Sequence, residues 1–229
     1  MQTQDTPMDR LLDAILPHVA FDGWSAAAFQ IAVAQLGMAP DLARAHCPRG
    51  AVDLAALYHR RGDRAMVAAL DEANTAGLRF RDRIALAVRL RLEGADREIV
   101  RRGAALFALP QNAATGAALV WGTADAIWTA LGDRSDDINW YSKRATLAAV
   151  YSATVLYWMG DDSVDHAATW AFLDRRIEGV MRIEKFKAQV RDNAVLSKVL
   201  AGPLAALGRI RAPQGRDAMP GRVTEGETR

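Results

Sequence analysis

Apolar residues return every three or four positions along most of the 229-residue chain, and runs alternating with period two are nearly absent. That spacing gathers the apolar side chains of each segment on one helical face, so the pattern predicts an all-α protein. Leu11, Leu12, Ile15 and Val19 mark a first helix over 7–19, with Pro7 in its opening turn. Ser25 reads as the N-cap of a second helix ending near Leu36, where Gly37 supplies a left-handed stop, and a short third helix covers 39–46. This is helix-turn-helix spacing. Longer helices are predicted over 52–74, 80–93, 96–109, 110–131, 138–159 and 164–186, separated by turns at Gly77, Gly94, 132–137 and 160–163. A last helix over 191–211 carries Val195, Leu196, Val199, Leu200, Leu204 and Leu207 as one apolar stripe, with Gly202-Pro203 as a kink. Its Lys198, Arg209 and Arg211 suit anionic headgroups, so the stripe reads as a membrane-surface helix, with packing on protein as the alternative. The expected organisation is a helix-turn-helix-like region over 1–50, a helical body over 51–190, the amphipathic helix over 191–211, and a disordered tail over 212–229 rich in Pro, Gly and charge.

Composition narrows the partners. Basic and acidic residues number 29 and 27, and this near-balance favours neither nucleic acid nor strongly cationic ligands. Cys47 is the single cysteine, which fits a reducing compartment and leaves no zinc framework. The first residues have the character of neither a secretory signal nor a transit peptide. The uncharged stretch 103–124 is cut by Pro110-Gln111-Asn112, and the apolar run 145–159 is short of the roughly 20 residues that span a bilayer. Both read as buried helix.

The string Gly132-Asp133-Arg134-Ser135-Asp136-Asp137-Ile138-Asn139-Trp140-Tyr141-Ser142-Lys143-Arg144 resembles the signature of a family of ubiquinone-biosynthesis accessory lipid-binding proteins, the ninth Coq protein of mitochondria and its bacterial relatives. Ala145-Thr146-Leu147-Ala148-Ala149-Val150-Tyr151 resembles the family's following helix, and Thr169-Trp170-Ala171-Phe172-Leu173-Asp174-Arg175-Arg176-Ile177 its later Thr-Trp-x-Phe-Leu-x-x-Arg segment. A weaker likeness extends through Gly23-Trp24 and Leu36-Gly37-Met38. The resemblance implies a helical bundle like that of the TetR regulators, usually a homodimer. It implies no reaction and no cofactor, but a bound isoprenoid, quinone precursor or phospholipid. It also implies presentation of that lipid to a membrane-associated hydroxylase through a C-terminal amphipathic helix. The expected location is cytoplasmic, peripheral on the inner face of a bacterial inner membrane.

Several constellations carry a sharper chemistry. Asp161, Asp162 and Asp165 match the Asp-Asp-x-x-Asp pattern that shares magnesium with a diphosphate, but Gly160 and Ser163 place them at a loop and helix start, where acidic groups cap. His18, His46, His59 and His166 lack the spacing that sets two metal ligands on one face. The third helix sits where a repressor's recognition helix would, yet it offers only Asp41 and Arg44, so nucleic acid is not an expected partner. A TetR-like ligand-responsive regulator stands as the alternative function. Trp121, Ala124 and Trp128 on one helix and Leu147, Tyr151 and Leu156 on the next are candidate walls of a lipid cavity. Asp161, Asp162 and Trp170 form a candidate partner surface, an aromatic anchor beside acidic turn residues.

Overall fold

The computed structural model describes residues 6–191. They form α1 (Pro7–Asp22), α2 (Ala26–Gln35), α3 (Pro40–His46), α4 (Ala51–Glu72), α5 (Phe80–Glu93), α6 (Arg97–Ala108), α7 (Pro110–Ala130), α8 (Ile138–Met159) and α9 (Ala167–Arg191). No strand occurs among the described residues, and none of their helices is long and apolar enough to cross a membrane. Of the helix expected over 191–211, Arg191 is the last residue of α9, and residues 192–211 and the tail after them lie outside the described residues.

Helix starts follow local hydrogen-bonding chemistry. Backbone N–H groups left free in a first turn are taken up by Thr6 Oγ1 (from Asp9, 3.1 Å), Ser25 Oγ (from Ala28, 3.1 Å) and Asp96 Oδ1 (from Glu98, 2.8 Å). Such caps contribute about 1 kcal/mol each. α1 runs three residues past the expected Val19, because Gly23, at φ +66°, closes the helix by donating its N–H to the Val19 carbonyl. α5 and α8 begin and end where the periodicity puts them. The expected helix from Val164 is broken: Asp165 and His166 take left-handed backbone angles, leaving a short 3-10 turn over Val164–His166 before α9.

Burial divides between two apolar cores. The first gathers α1, α2, the start of α4 and Ile99 of α6 around Leu11, Leu12, Ile15 and Leu54. The second gathers the end of α4 with α5, α7, α8 and α9 around Met66, Leu92, Ile127 and Leu173. α4 belongs to both, and α6 crosses from one to the other, with Ile99 in the first and Val100 against the second; α7 packs on α4, α6 and α8. Leu109 is the single residue between α6 and α7. Gly116 makes that tight hairpin possible, since a Cβ there would meet the Phe107 Cβ at 2.8 Å.

Candidate functional site

Between the two cores lies a cavity of about 310 Å³. That is at the lower end of the ~300–1,000 Å³ usual for small-ligand sites. Its walls are largely apolar: Ile99 and Phe107 from α6, Leu119 and Val120 from α7, Val155 and Met159 from α8. α6 and α7 contribute glycine and alanine (Gly103, Ala104, Ala108, Ala113, Gly116, Ala117), which leave the space that larger side chains would fill. Leu156, 67% exposed, stands at the mouth with Ala108, Ala113 and Ala117.

The inner end is polar. Arg91 of α5, only 3% exposed, donates from Nε to Asp63 Oδ1 (2.7 Å) and from Nη2 to the His59 carbonyl (3.0 Å). Thr123 of α7 donates to Asp63 Oδ1 (3.0 Å), and its oxygen lies 2.8 Å from His59 Nε2. With the Thr123 hydroxyl donating to Asp63, its oxygen accepts from His59, which puts the ring proton on Nε2. Burial drives the His59 pKa down to about 4, outweighing the attraction of Asp63, so the ring is neutral near pH 7. Tyr151 of α8 lies beside Thr123 and Arg91, and burial raises its phenol pKa. Arg91 reaches Asp63 across α4 only because residue 62 is glycine: a Cβ there would fall 2.6 Å from the guanidinium carbon. Trp24, Tyr58, His59, Arg91 and Tyr151 all line the cavity.

The predicted wall residues divide. Tyr151 and Leu156 line this cavity, at its inner end and its mouth. Trp128 and Leu147 line a separate hollow of about 300 Å³ with Phe80, Ile84, Ile177 and Val180. Ala124 is fully buried in the second core. Trp121 points elsewhere, into an aromatic group with Trp140 and Tyr141 at centroid distances of 5.9 and 6.4 Å. Helical periodicity identified inward faces without distinguishing core from hollow. His59, Asp63 and Arg91 were missed, though a signal existed. Arg91 falls in the inward stripe of α5 with Ile84, Ala87, Val88 and Leu92, and Asp63 in that of α4 with Met66 and Leu70. Opposite charges at core positions of neighbouring helices mark a buried pair.

The Gly132–Arg144 string builds a clasp between α7 and α8. Gly132 turns at φ +78°, and the Asp133 carboxylate accepts from Lys143 Nζ (2.7 Å), Ser135 Oγ (2.8 Å) and Arg144 Nη1 (3.0 Å). Burial raises the Asp133 pKa, but these bonds overcome it and hold the carboxyl at about 2. Arg144, itself buried, also binds Asp125 and lies 4.1 Å over the Trp140 ring.

The proposed partner patch is likewise divided. Asp161 is turned inward, accepting from Ser163 N (2.9 Å) and from Thr169 N (2.9 Å) and Oγ1 (2.5 Å), bonds that hold its pKa well below the usual carboxylate range. Asp162 is exposed beside Arg97, and Trp170 is half-buried under the Arg89 guanidinium, 5.0 Å from its ring centre. Asp165 lies in the left-handed turn, and among the described residues no three His, Cys, Asp or Glu side chains are grouped to hold a metal. The stripe from Val195 to Leu207 lies outside the described residues.

Residues 113–184 match the COQ9 family. The chain is 29% identical over 191 residues to the probable ubiquinone biosynthesis protein coq9, mitochondrial, of Dictyostelium discoideum, with 80% of this chain and 62% of that protein aligned. It is 31% identical to the Drosophila melanogaster ubiquinone biosynthesis protein COQ9, mitochondrial, covering 79% of this chain and 57% of the relative. With the Homo sapiens COQ9 protein the identity is 30%, covering 83% and 62%. The chain therefore spans about three fifths of these relatives' length. The crystal structure of a TetR transcriptional regulator from Nitrosomonas europaea superposes with a TM-score of 0.61 at 21% identity, covering 76% of this chain and 97% of that one. The fold is that of the TetR regulators.

Proposed function

We propose that the chain, which is similar to the COQ9 proteins of ubiquinone biosynthesis, is a non-enzymatic accessory protein of that pathway which holds an isoprenoid-tailed or other lipid. The observation that carries this reading is the cavity between α4, α6, α7 and α8: its lining is overwhelmingly apolar, its small residues leave space, and its mouth is marked by an exposed leucine. An apolar hollow of this kind favours hydrocarbon over water. The lipid is presented to a membrane-associated hydroxylase of the pathway, and the amphipathic stripe at 193–211 brings the protein to the bilayer surface. Tyr157 and Val164, apolar and exposed near the α8–α9 junction, support a homodimer.

The reading is tested by organic extraction of the purified full chain followed by mass spectrometry. Recovery of an isoprenoid, quinone precursor or phospholipid in near-stoichiometric amount is expected, and a protein that yields no lipid and takes none up from vesicles overturns it.

A further inference from the structure

We propose that the cavity takes its ligand polar end first, and that Tyr151, Arg91 and His59 form a floor that recognises an uncharged oxygen at the end of an apolar chain. This rests on the reading of the cavity as a lipid site, and adds to it the orientation of the ligand and the residues that select its inner end.

The cavity has a polar end and an apolar end, and helix α8 supplies a residue to each. Tyr151, 4% exposed, is inside, while Leu156 is at the mouth five residues on. At 1.5 Å per residue the two are about 7–8 Å apart along the helix. The lining also includes Val155 and, from the facing helices, Val120 and Phe107, which offer only carbon to a ligand. A hydrocarbon end placed inside would press against the Tyr151 hydroxyl and the guanidinium of Arg91, and strip both of water without replacing it. An oxygen placed there meets donors. Of the guanidinium's N–H groups, one goes to Asp63 and one to the His59 carbonyl; a guanidinium carries five.

Charge selects among oxygens. Arg91 is already neutralised by Asp63 at 2.7 Å, and the other groups facing the floor, Thr123, Tyr151, Tyr58 and neutral His59, carry no charge. An ionised end would lose its hydration without gaining a free counter-charge, and it would lie near the Asp63 carboxylate. An alcohol, phenol or ring carbonyl carries no such cost.

Farnesol, farnesene and farnesyl phosphate share one tail and differ only at the end, so calorimetric titration of the full chain with each separates the possibilities. In a purely apolar cavity the hydrocarbon binds tightest, because it has the most to gain by leaving water. The polar floor reverses that order: farnesol is expected to bind about tenfold more tightly than farnesene, the effect of one well-made hydrogen bond, and more tightly than farnesyl phosphate. Tyr151→Phe should bring farnesol down toward farnesene while leaving farnesene unchanged. A farnesol analogue with a diazirine next to the hydroxyl should label peptides of α4 and α5, whereas one at the far end should label 108–117 and Leu156. The wild-type affinities and labelling decide the orientation even if the variant fails to fold. If none of the three ligands binds, the lipid-site reading fails and the floor with it. If farnesene or farnesyl phosphate binds as tightly as farnesol, or the labelling is reversed, the lipid site stands and the polar-end-first orientation is overturned.

Discussion

Gly62 and His59 are three residues apart on α4, and each makes a sharp expectation at the scale of single side chains. Alanine normally stabilises a helix interior by up to about 1 kcal/mol relative to glycine. At position 62 the added Cβ would fall 2.6 Å from the Arg91 guanidinium carbon, so Gly62→Ala is expected to destabilise by about 1–3 kcal/mol, the usual cost of overpacking. Gly122→Ala is the control, because no heavy atom lies within 4 Å of a Cβ there, and it should be neutral or stabilising. Paired denaturant titrations check both signs. His59 titrates near 6.5 in the unfolded chain and at about 4 in the folded one, so the unfolded state binds the extra proton as pH falls. Stability conferred by the neutral ring is complete above pH 6.5 and is lost as pH falls through that value toward 4, by about 3 kcal/mol in all. His59→Gln should flatten that part of the stability profile, as followed by thermal melts between pH 7 and 4. None of this was legible residue by residue in the sequence, because the pairing of Arg91 with Asp63 depends on which helices become neighbours.

Element boundaries were far more legible, since caps act locally. Ser25, Asp96 and Asp137 stand where the helices they cap begin. The failure at 164–166 has an equally local cause: Asp161 takes both N–H and hydroxyl of Thr169, and the chain reaches that geometry only by turning through two left-handed residues. The α7–α8 clasp carries the prediction at this scale. Asp133→Asn removes the charge that faces Lys143 and Arg144 and leaves a buried guanidinium with Asp125 as its remaining carboxylate, so a loss of about 2–3 kcal/mol is expected. The Asp133 carboxyl, held at about 2 against 3.8 unfolded, gives stability that is complete above pH 4 and is lost as pH falls through 2. Stability followed by circular dichroism should therefore fall more steeply between pH 4 and 2 in wild type than in Asp133→Asn, which lacks that contribution at every pH. The string that carried the family likeness thus fastens two helices together, which explains why it was readable: its residues contact one another within a dozen positions.

Across the whole molecule, the TetR-like arrangement brings α3 to the place of a recognition helix but supplies it with poor chemistry for reading bases. Its charged side chains are Asp41 and Arg44, and Leu42 is half exposed. Duplex DNA is expected to form no sequence-dependent complex that survives physiological salt, as measured by fluorescence anisotropy across a salt series. The cavity was only partly legible: of the six residues expected to wall one hollow, Tyr151 and Leu156 line the cavity between the cores while Trp128 and Leu147 line another, because an inward face says nothing of where packing is incomplete. The position of that cavity between two cores bears on how the molecule comes apart. Trp24, Ala55 and Ile99 belong to one core and Tyr151 to the other, yet all touch the same hollow. The empty protein should accordingly exchange its amide hydrogens as two units, with the α1–α2 half opening independently of the α7–α9 half. A ligand in contact with both halves fastens them into a single cooperative unit, so its arrival should be readable as a merging of two protection levels into one.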